Sequence, residues 1–296
     1  MPRVWLDTDI GTDIDDAVAL LCAARHPGID LLSVSTVWSR LEARTWLARE
    51  MLRRAGLPDI PVLPGAAHAA ADDPTQDIPS YGRLAPDLPR LSTADDNERI
   101  AAIADAMMAL PQPFHIVPVG PLTNVARLLE RHPEVSSKWE GITCMAGRLE
   151  ESAEYNVQCD PSAARVVFDR LGPRLVGLEA SSNTLTREEA EAALDPSDPA
   201  SAFLLECYRH YRQHAGWHDD PQNAPLTLFD PIALLSLVQP KAFNLHAVRV
   251  LVESDGRMRL TDDGSNVFYA FSSDWDTLKP LILELLRGST SLGEPS

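Results

Sequence analysis

Short apolar strands alternate with helical stretches along most of this 296-residue chain. That alternation restricts the fold to an α/β class with a mostly parallel central sheet and helices on both faces. Strands are predicted at 3–6, 31–37, 61–63, 115–119, 142–145, 175–178 and 247–252. Helices are predicted at about 14–25, 43–55, 97–110, 121–131 and 161–171. Pro121, after Gly120, is expected as a first helical residue, where its missing N–H costs nothing. Pro161 reads the same way, with Asp160 as its N-cap. Residues 66–93 are rich in Ala, Pro and Asp and lack periodicity, so a long surface loop able to cover a site is expected there. The stretch 186–239 reads as a helical, cap-like insertion within a single domain spanning 1–296.

Five aspartates fall within ten residues, Asp7-Thr8-Asp9-Ile10-Gly11-Thr12-Asp13-Ile14-Asp15-Asp16, between the first strand and the first helix. Ligands in open α/β sheets bind beyond the carboxyl ends of the strands, which is where this segment falls. Carboxylates this close repel one another unless a positive charge sits among them. A hard divalent cation with oxygen ligands is the natural partner, and calcium suits a flexible, carboxylate-rich site. N-capping and the helix dipole account for one or two aspartates at a helix start, not for five. The net charge of −17 disfavours nucleic acid and acidic membranes as partners and is compatible with a neutral small molecule or a bound cation. No apolar run approaches the ~18 residues of a membrane span. The first strand begins with no signal-peptide pattern ahead of it, which argues for a cytoplasmic protein. Cys22, Cys144, Cys159 and Cys207 lack metal-ligand spacing and read as small buried hydrophobes.

An EF-hand fits the acidic segment poorly, since the twelfth residue from Asp7 is Val18 rather than Glu, and Gly11 stands fifth instead of sixth. A haloacid-dehalogenase-type phosphatase is closer, but Ile10 intrudes between Asp9 and Gly11, and the Asp15-Asp16 pair has no role in that pattern. The pattern Asp7-x-Asp9, Gly11, Asp15-Asp16-Ala17 instead resembles the opening motif of inosine–uridine-type nucleoside hydrolases, with a spacing two residues longer than the commonest form. Ser35-Thr36-Val37, Gly120-Pro121-Leu122-Thr123-Asn124, Ala153-Glu154-Tyr155-Asn156 with Asp160-Pro161, and Asp230-Pro231 resemble later motifs of that family, in the right order. The resemblance implies a Rossmann-like fold and hydrolysis of the N-glycosidic bond of a ribonucleoside or related N-riboside. By this similarity Asp9, Asp16, the Thr123 carbonyl and Asp230 hold one calcium ion, and Asp9 is the base that takes a proton from the attacking water. Asp15 and Asn156 bind ribose hydroxyls, and Glu154 faces the 5′-hydroxyl side. Asp7 supports the loop from behind, and Asp13 is expected to be solvated. A homodimer or homotetramer is implied as well.

Four departures from the family pattern set further expectations. The His that many members carry before the last Asp-Pro, as an acid for the leaving base, is Phe229 here. Arg40 takes the place of a sugar-contacting Asn or Asp, and Arg148 lies near the place of an expected Asn. The long loop's usual His-Gly appears as Tyr81-Gly82, which makes Tyr81 a candidate for covering or protonating the base. Slow or absent turnover of inosine is expected unless another acid serves. His210, His214 and His218 fall on one helical face if the helix persists past Gly216, and His218 is the preferred acid because it lies nearest the segment leading to Asp230. Arg40 and Arg148 together suit an anionic substituent on the substrate, provided their guanidinium groups face the metal pocket. The rival reading is a nucleoside- or ribose-binding protein that keeps ion and sugar recognition without turnover.

Overall fold

The computed structural model describes residues 1–67, 80–92, 95–149, 152–214, 220 and 223–288. Its strands are β1 (Arg3–Thr8), β2 (Asp30–Thr36), β3 (Val62–Pro64), β4 (Phe114–Pro118), β5 (Trp139–Met145), β6 (Arg174–Val176), β7 (Thr184–Leu185), β8 (Leu226–Thr227), β9 (Phe243–Val252), β10 (Met258–Leu260) and β11 (Ser265–Ser273). Nine of these form one sheet in the order β10-β9-β11-β6-β5-β4-β1-β2-β3, while β7 and β8 pair separately. Pairing is parallel from β3 through to β11, and β9 and β10 extend that edge antiparallel.

The helices are α1 (Asp15–Arg25), α2 (Leu41–Arg54), α3 (Asp96–Ala109), α4 (Thr123–Arg131), α5 (Tyr155–Cys159), α6 (Pro161–Leu171), α7 (Leu178–Ser181), α8 (Arg187–Ala193), α9 (Pro199–His214), α10 (Phe229–Leu235) and α11 (Trp275–Arg287). Two apolar clusters result. One gathers buried residues of α1, α2 and α8 to α11, and the other gathers those of α3, α4 and α6. Residues of the 186–239 stretch, Leu204, Tyr208 and Leu234 among them, are thus packed into the same cluster as α1.

Local chemistry explains most boundaries. Asp160 caps α6 by accepting the Ala163 N–H at 3.0 Å, Pro161 opens the helix, and Gly172 closes it at a left-handed φ of 55°. Pro121 departs from expectation, because α4 starts at Thr123 with Leu122 as its N-cap, and Pro121 precedes the helix. The chain there passes so close to the aspartate segment that a Cβ on Gly120 would lie 2.6 Å from Asp9 Oδ1 and 3.0 Å from the Asp9 nitrogen, so this position requires glycine. β10, β11 and α11 were not predicted. β10 and β11 carry Arg259, Asn266 and the exposed Leu260 and Phe268, a mixed pattern that reads as loop in a single sequence.

The chain runs outward from β1 to β3 and returns to lay β4 on the other side of β1. The connections that leave β1 and β4 therefore diverge, and a crevice opens between them at the carboxyl ends of the strands. Asp9 follows β1 and Thr123 follows β4, so both stand at that crevice.

Candidate active site

A cavity of about 420 Å³ opens there, within the range of small-molecule sites. Its acidic side is formed by Asp9, Asp13, Asp15, Asp16 and Asp230. Asp15 and Asp16 are the first two residues of α1, whose N-cap Ile14 supplies no side-chain bond, so the positive end of the helix faces carboxylates. The Thr8 hydroxyl donates to Asp16 and accepts the Ile10 N–H at 3.1 Å, which fixes the loop's exit from β1. Asp230 lies in the first turn of α10, with Leu228 at the N-cap, so capping does not explain this aspartate. Asp13, expected to be solvated, lines the cavity half-buried and accepts from the Thr227 hydroxyl at 2.5 Å.

Carboxylate oxygens of Asp15, Asp16 and Asp230 lie within 4.8 Å of one another, and all three residues are buried. Two oxygens bound to one calcium-sized ion at about 2.4 Å each are at most about 4.8 Å apart, so the donor set has the size and the chemistry for a hard cation. Burial pushes the carboxyl groups of Asp15, Asp16 and Asp230 well above the usual range, and the neighbouring aspartates push them further. Asp9 is raised by burial too, against the opposing charge of Arg44, whose Nη1 is 3.8 Å from its Oδ2. A divalent ion reverses this balance by favouring the ionised forms.

The opposite wall comes from the ends of β4 and β5. Glu154 caps α5, accepting N–H groups from Gly147 at 3.0 Å, Asn156 at 2.6 Å and Val157 at 3.1 Å. Asn156 donates from Nδ2 to the carbonyls of Val119, at 2.8 Å, and Met145, at 3.2 Å, so it ties the two strand ends together. Both side chains line the cavity. Asp7 sits behind the site, buried, with Oδ1 accepting from Ser35 and, at 2.7 Å, from Asn124 Nδ2. Burial raises its carboxyl to about 7. The Thr123 hydroxyl donates to Asp160 at 2.7 Å, and Asn124 also accepts the Ala66 N–H at 2.7 Å.

Val119, Met145, Ala153, Leu178, Tyr155 and Phe229 complete the cavity and give it a largely apolar end. Three residues expected near substrate are elsewhere. Tyr81 is fully buried in the apolar cluster, and its hydroxyl accepts the Gly11 N–H at 2.9 Å. Its ring is drawn inward by the core, so it braces the aspartate loop from beneath instead of covering a base. Arg40 adopts a left-handed φ of 55° and pairs with Glu42, outside the cavity lining. Arg148 donates to Ser152 Oγ at 2.8 Å and does not line the cavity either. Among the described residues neither guanidinium group therefore lines the cavity, and the expected anion site is not seen there. His210 and His214 stack at 6.2 Å on α9, away from the cavity, and His218 lies outside the described residues. The sequence reading missed Thr8, Arg44 and Thr227. Thr8 was visible inside the motif, whereas Arg44 and Thr227 carry no signal without the fold.

The family model described as inosine-uridine preferring nucleoside hydrolase matches residues 4–279. The non-specific ribonucleoside hydrolase RihC of Escherichia coli O127:H6 is 31% identical over 268 residues, covering 86% of this chain and 84% of that protein. The RihC of Shigella boydii serotype 18 is 30% identical over the same span. Among solved structures, a plant nucleoside hydrolase superposes with a TM-score of 0.79 at 23% identity, over 97% of this chain and 99% of that one. A purine-preferring ribonucleoside hydrolase from Gardnerella vaginalis gives 0.78 at 22%, over 98% and 100%. With this span of matched sequence, and with the acidic crevice where the family's motifs fall, the chain belongs to the inosine-uridine preferring nucleoside hydrolase family and is a hydrolase acting on N-glycosyl bonds.

Proposed function

We propose that this enzyme is a calcium-dependent N-ribohydrolase that splits a ribonucleoside, or a related neutral N-riboside, into ribose and free base. The observation that carries the reading is the convergence of Asp15, Asp16 and Asp230 oxygens within 4.8 Å in the cavity beyond β1 and β4. Asp9, Asp16, Asp230 and the Thr123 carbonyl are the proposed ion ligands, and Asp15, whose carboxylate stands within the cluster beside Asp16 and Asp230, is proposed to engage a ribose hydroxyl. A bound divalent ion supplies positive charge that acidifies and orients the attacking water. Asp9 accepts the proton from that water, a role suited to a carboxylate at the cavity wall. Asn156, with its Nδ2 committed to Val119 and Met145, meets a second hydroxyl through Oδ1. Glu154, held by three N–H groups, faces the 5′-hydroxyl side. Carboxylates gathered around the sugar stabilise the positive charge that develops on the ring as the C–N bond breaks.

The leaving base lies against the apolar end. Phe229 cannot donate a proton, so the proposed acid is His218, chosen from its place in the sequence. Loss of the basic limb of the pH–rate profile in His218→Ala is the expected result, and an unchanged limb removes it. The proposed assembly is a homodimer or homotetramer, to be checked by light scattering.

A second reading draws on Phe229 itself, which lines the cavity where a donor is expected. It makes the chain a binder of nucleosides with weak turnover. Metal analysis together with a riboside panel scored for free ribose separates the two. Calcium with ribose release supports the enzyme, and calcium with binding but no release supports the binder. Absence of any bound divalent ion at saturating calcium overturns both.

A further inference from the structure

Arg44 is 1% exposed, an unusual state for an arginine. It projects from the first turns of α2 toward the aspartate loop and engages it at several points. Nη1 donates to the Ile10 carbonyl at 3.2 Å, and Nη2 donates to the Thr12 hydroxyl at 3.3 Å. Nε donates to the Ser39 carbonyl at 2.7 Å. Ser39 is itself flanked by Trp38 and Arg40, which hold left-handed φ values of 76° and 55° that non-glycine residues seldom adopt. One planar guanidinium therefore joins the turn after β2 to both sides of Gly11, the loop's own left-handed residue at φ 128°. Nη1 also faces Asp9 Oδ2 at 3.8 Å, too far for a direct hydrogen bond.

We propose that Arg44 is a positioning residue that sets the aspartate loop in its ion-receiving shape, acting through Ile10, Thr12 and the Ser39 turn. This rests on the reading above that the site takes a divalent cation. Two physical effects of Arg44 on such a cation have opposite signs. As a nearby positive charge it repels the ion, so on electrostatics alone its removal tightens binding. As the staple of the loop it lowers the ordering that binding requires, so its removal weakens binding. The hydrogen-bond geometry, with a fork reaching two loop groups and a third segment, favours the second effect. Lysine keeps the charge but has no planar fork, so it does not substitute fully.

The test is calorimetric titration of calcium into the metal-free protein, for wild type, Arg44→Met, Arg44→Lys and Arg49→Met. Arg49 is a control on the same helix, donating to the Val62 carbonyl at 2.9 Å away from the cavity. Arg44→Met is expected to bind calcium at least tenfold more weakly and to lose kcat with a smaller change in KM. Arg44→Lys is expected between it and wild type on both measures. Arg49→Met is expected to bind as wild type does, even if its melting temperature falls. Calcium affinity in Arg44→Met that is unchanged or tighter overturns the proposal, and so does an Arg49→Met loss of equal size. If Arg44→Met does not fold, Arg44→Lys decides alone, and affinity within twofold of wild type overturns the proposal. Failure of wild type to bind calcium overturns instead the ion-dependent reading on which it stands.

Discussion

At the acidic end of the cavity, the carboxylates are held by partners from within the aspartate segment and from other segments. Thr8 donates to Asp16, Thr227 donates to Asp13, and Arg44 faces Asp9 from α2. At the other end, Leu178, Phe229 and Tyr155 present apolar surface, and Tyr155 is half-exposed. The contrast teaches where variation is cheap. A carboxylate that is shifted or lost leaves its buried donor, such as the Thr8 or Thr227 hydroxyl, without its acceptor, which is costly. An apolar wall residue exchanged for another of similar size costs little, so the apolar end is free to change within one fold.

Breaking the acidic end is expected to produce the largest effect. Asp230→Asn should lower kcat/KM about a thousandfold and abolish calcium binding by calorimetry, since it removes a charge from the converging set. Retention of calcium affinity in that variant would show that Asp230 is not a ligand. Gly120→Ala comes next. The added methyl meets Asp9 Oδ1 at 2.6 Å, and displacing that carboxylate by about 1 Å should cost roughly a hundredfold in kcat, measured under saturating substrate. Unaltered turnover would mean that Asp9 is not the base.

The apolar end is sharpened by a gain. Phe229→His places a donor in the cavity and should raise kcat on inosine about tenfold, below the full value of a tuned acid. No rise in a folded variant would indicate that protonation is already supplied from elsewhere. The smallest expected effect is on stability. Asp7 has its carboxyl raised from 3.8 to about 7, chiefly by burial. The folded state therefore holds this proton more tightly than the unfolded chain, and the associated stability is full below about pH 4 and lost as pH rises through 7. In chelator, the melting temperature of wild type should fall between pH 5 and 8, and Asp7→Asn should flatten that fall. An identical slope in the two proteins would assign the dependence to other carboxyl groups.

Much of this arrangement was legible in the sequence because it depends on local chemistry. The first six parallel strands and the capped start of α6 at Asp160-Pro161 follow from apolar runs and fixed-φ residues. Asp16 and Asp230 were named together through motifs, and the fold brings their oxygens into one cluster. What was not legible depends on tertiary packing. Tyr81 looked like a residue covering the base because Tyr81-Gly82 stands where the family's long loop carries His-Gly, yet its ring is recruited by the core beneath Gly11. Arg40 looked like a substrate ligand by position, but the left-handed turn aims it at Glu42. Arg44, one helical turn further along, is the arginine that reaches the site, and nothing in the spacing of a single sequence distinguishes the two.

The position of Asp230 on α10, docked beside α1, has a consequence for biosynthesis. During translation the opening aspartates leave the ribosome long before this last carboxylate exists. On the ion-binding role proposed above, an emerging polypeptide offers only part of the Asp15, Asp16 and Asp230 cluster, and tight capture waits until the later helices have settled onto the earlier ones.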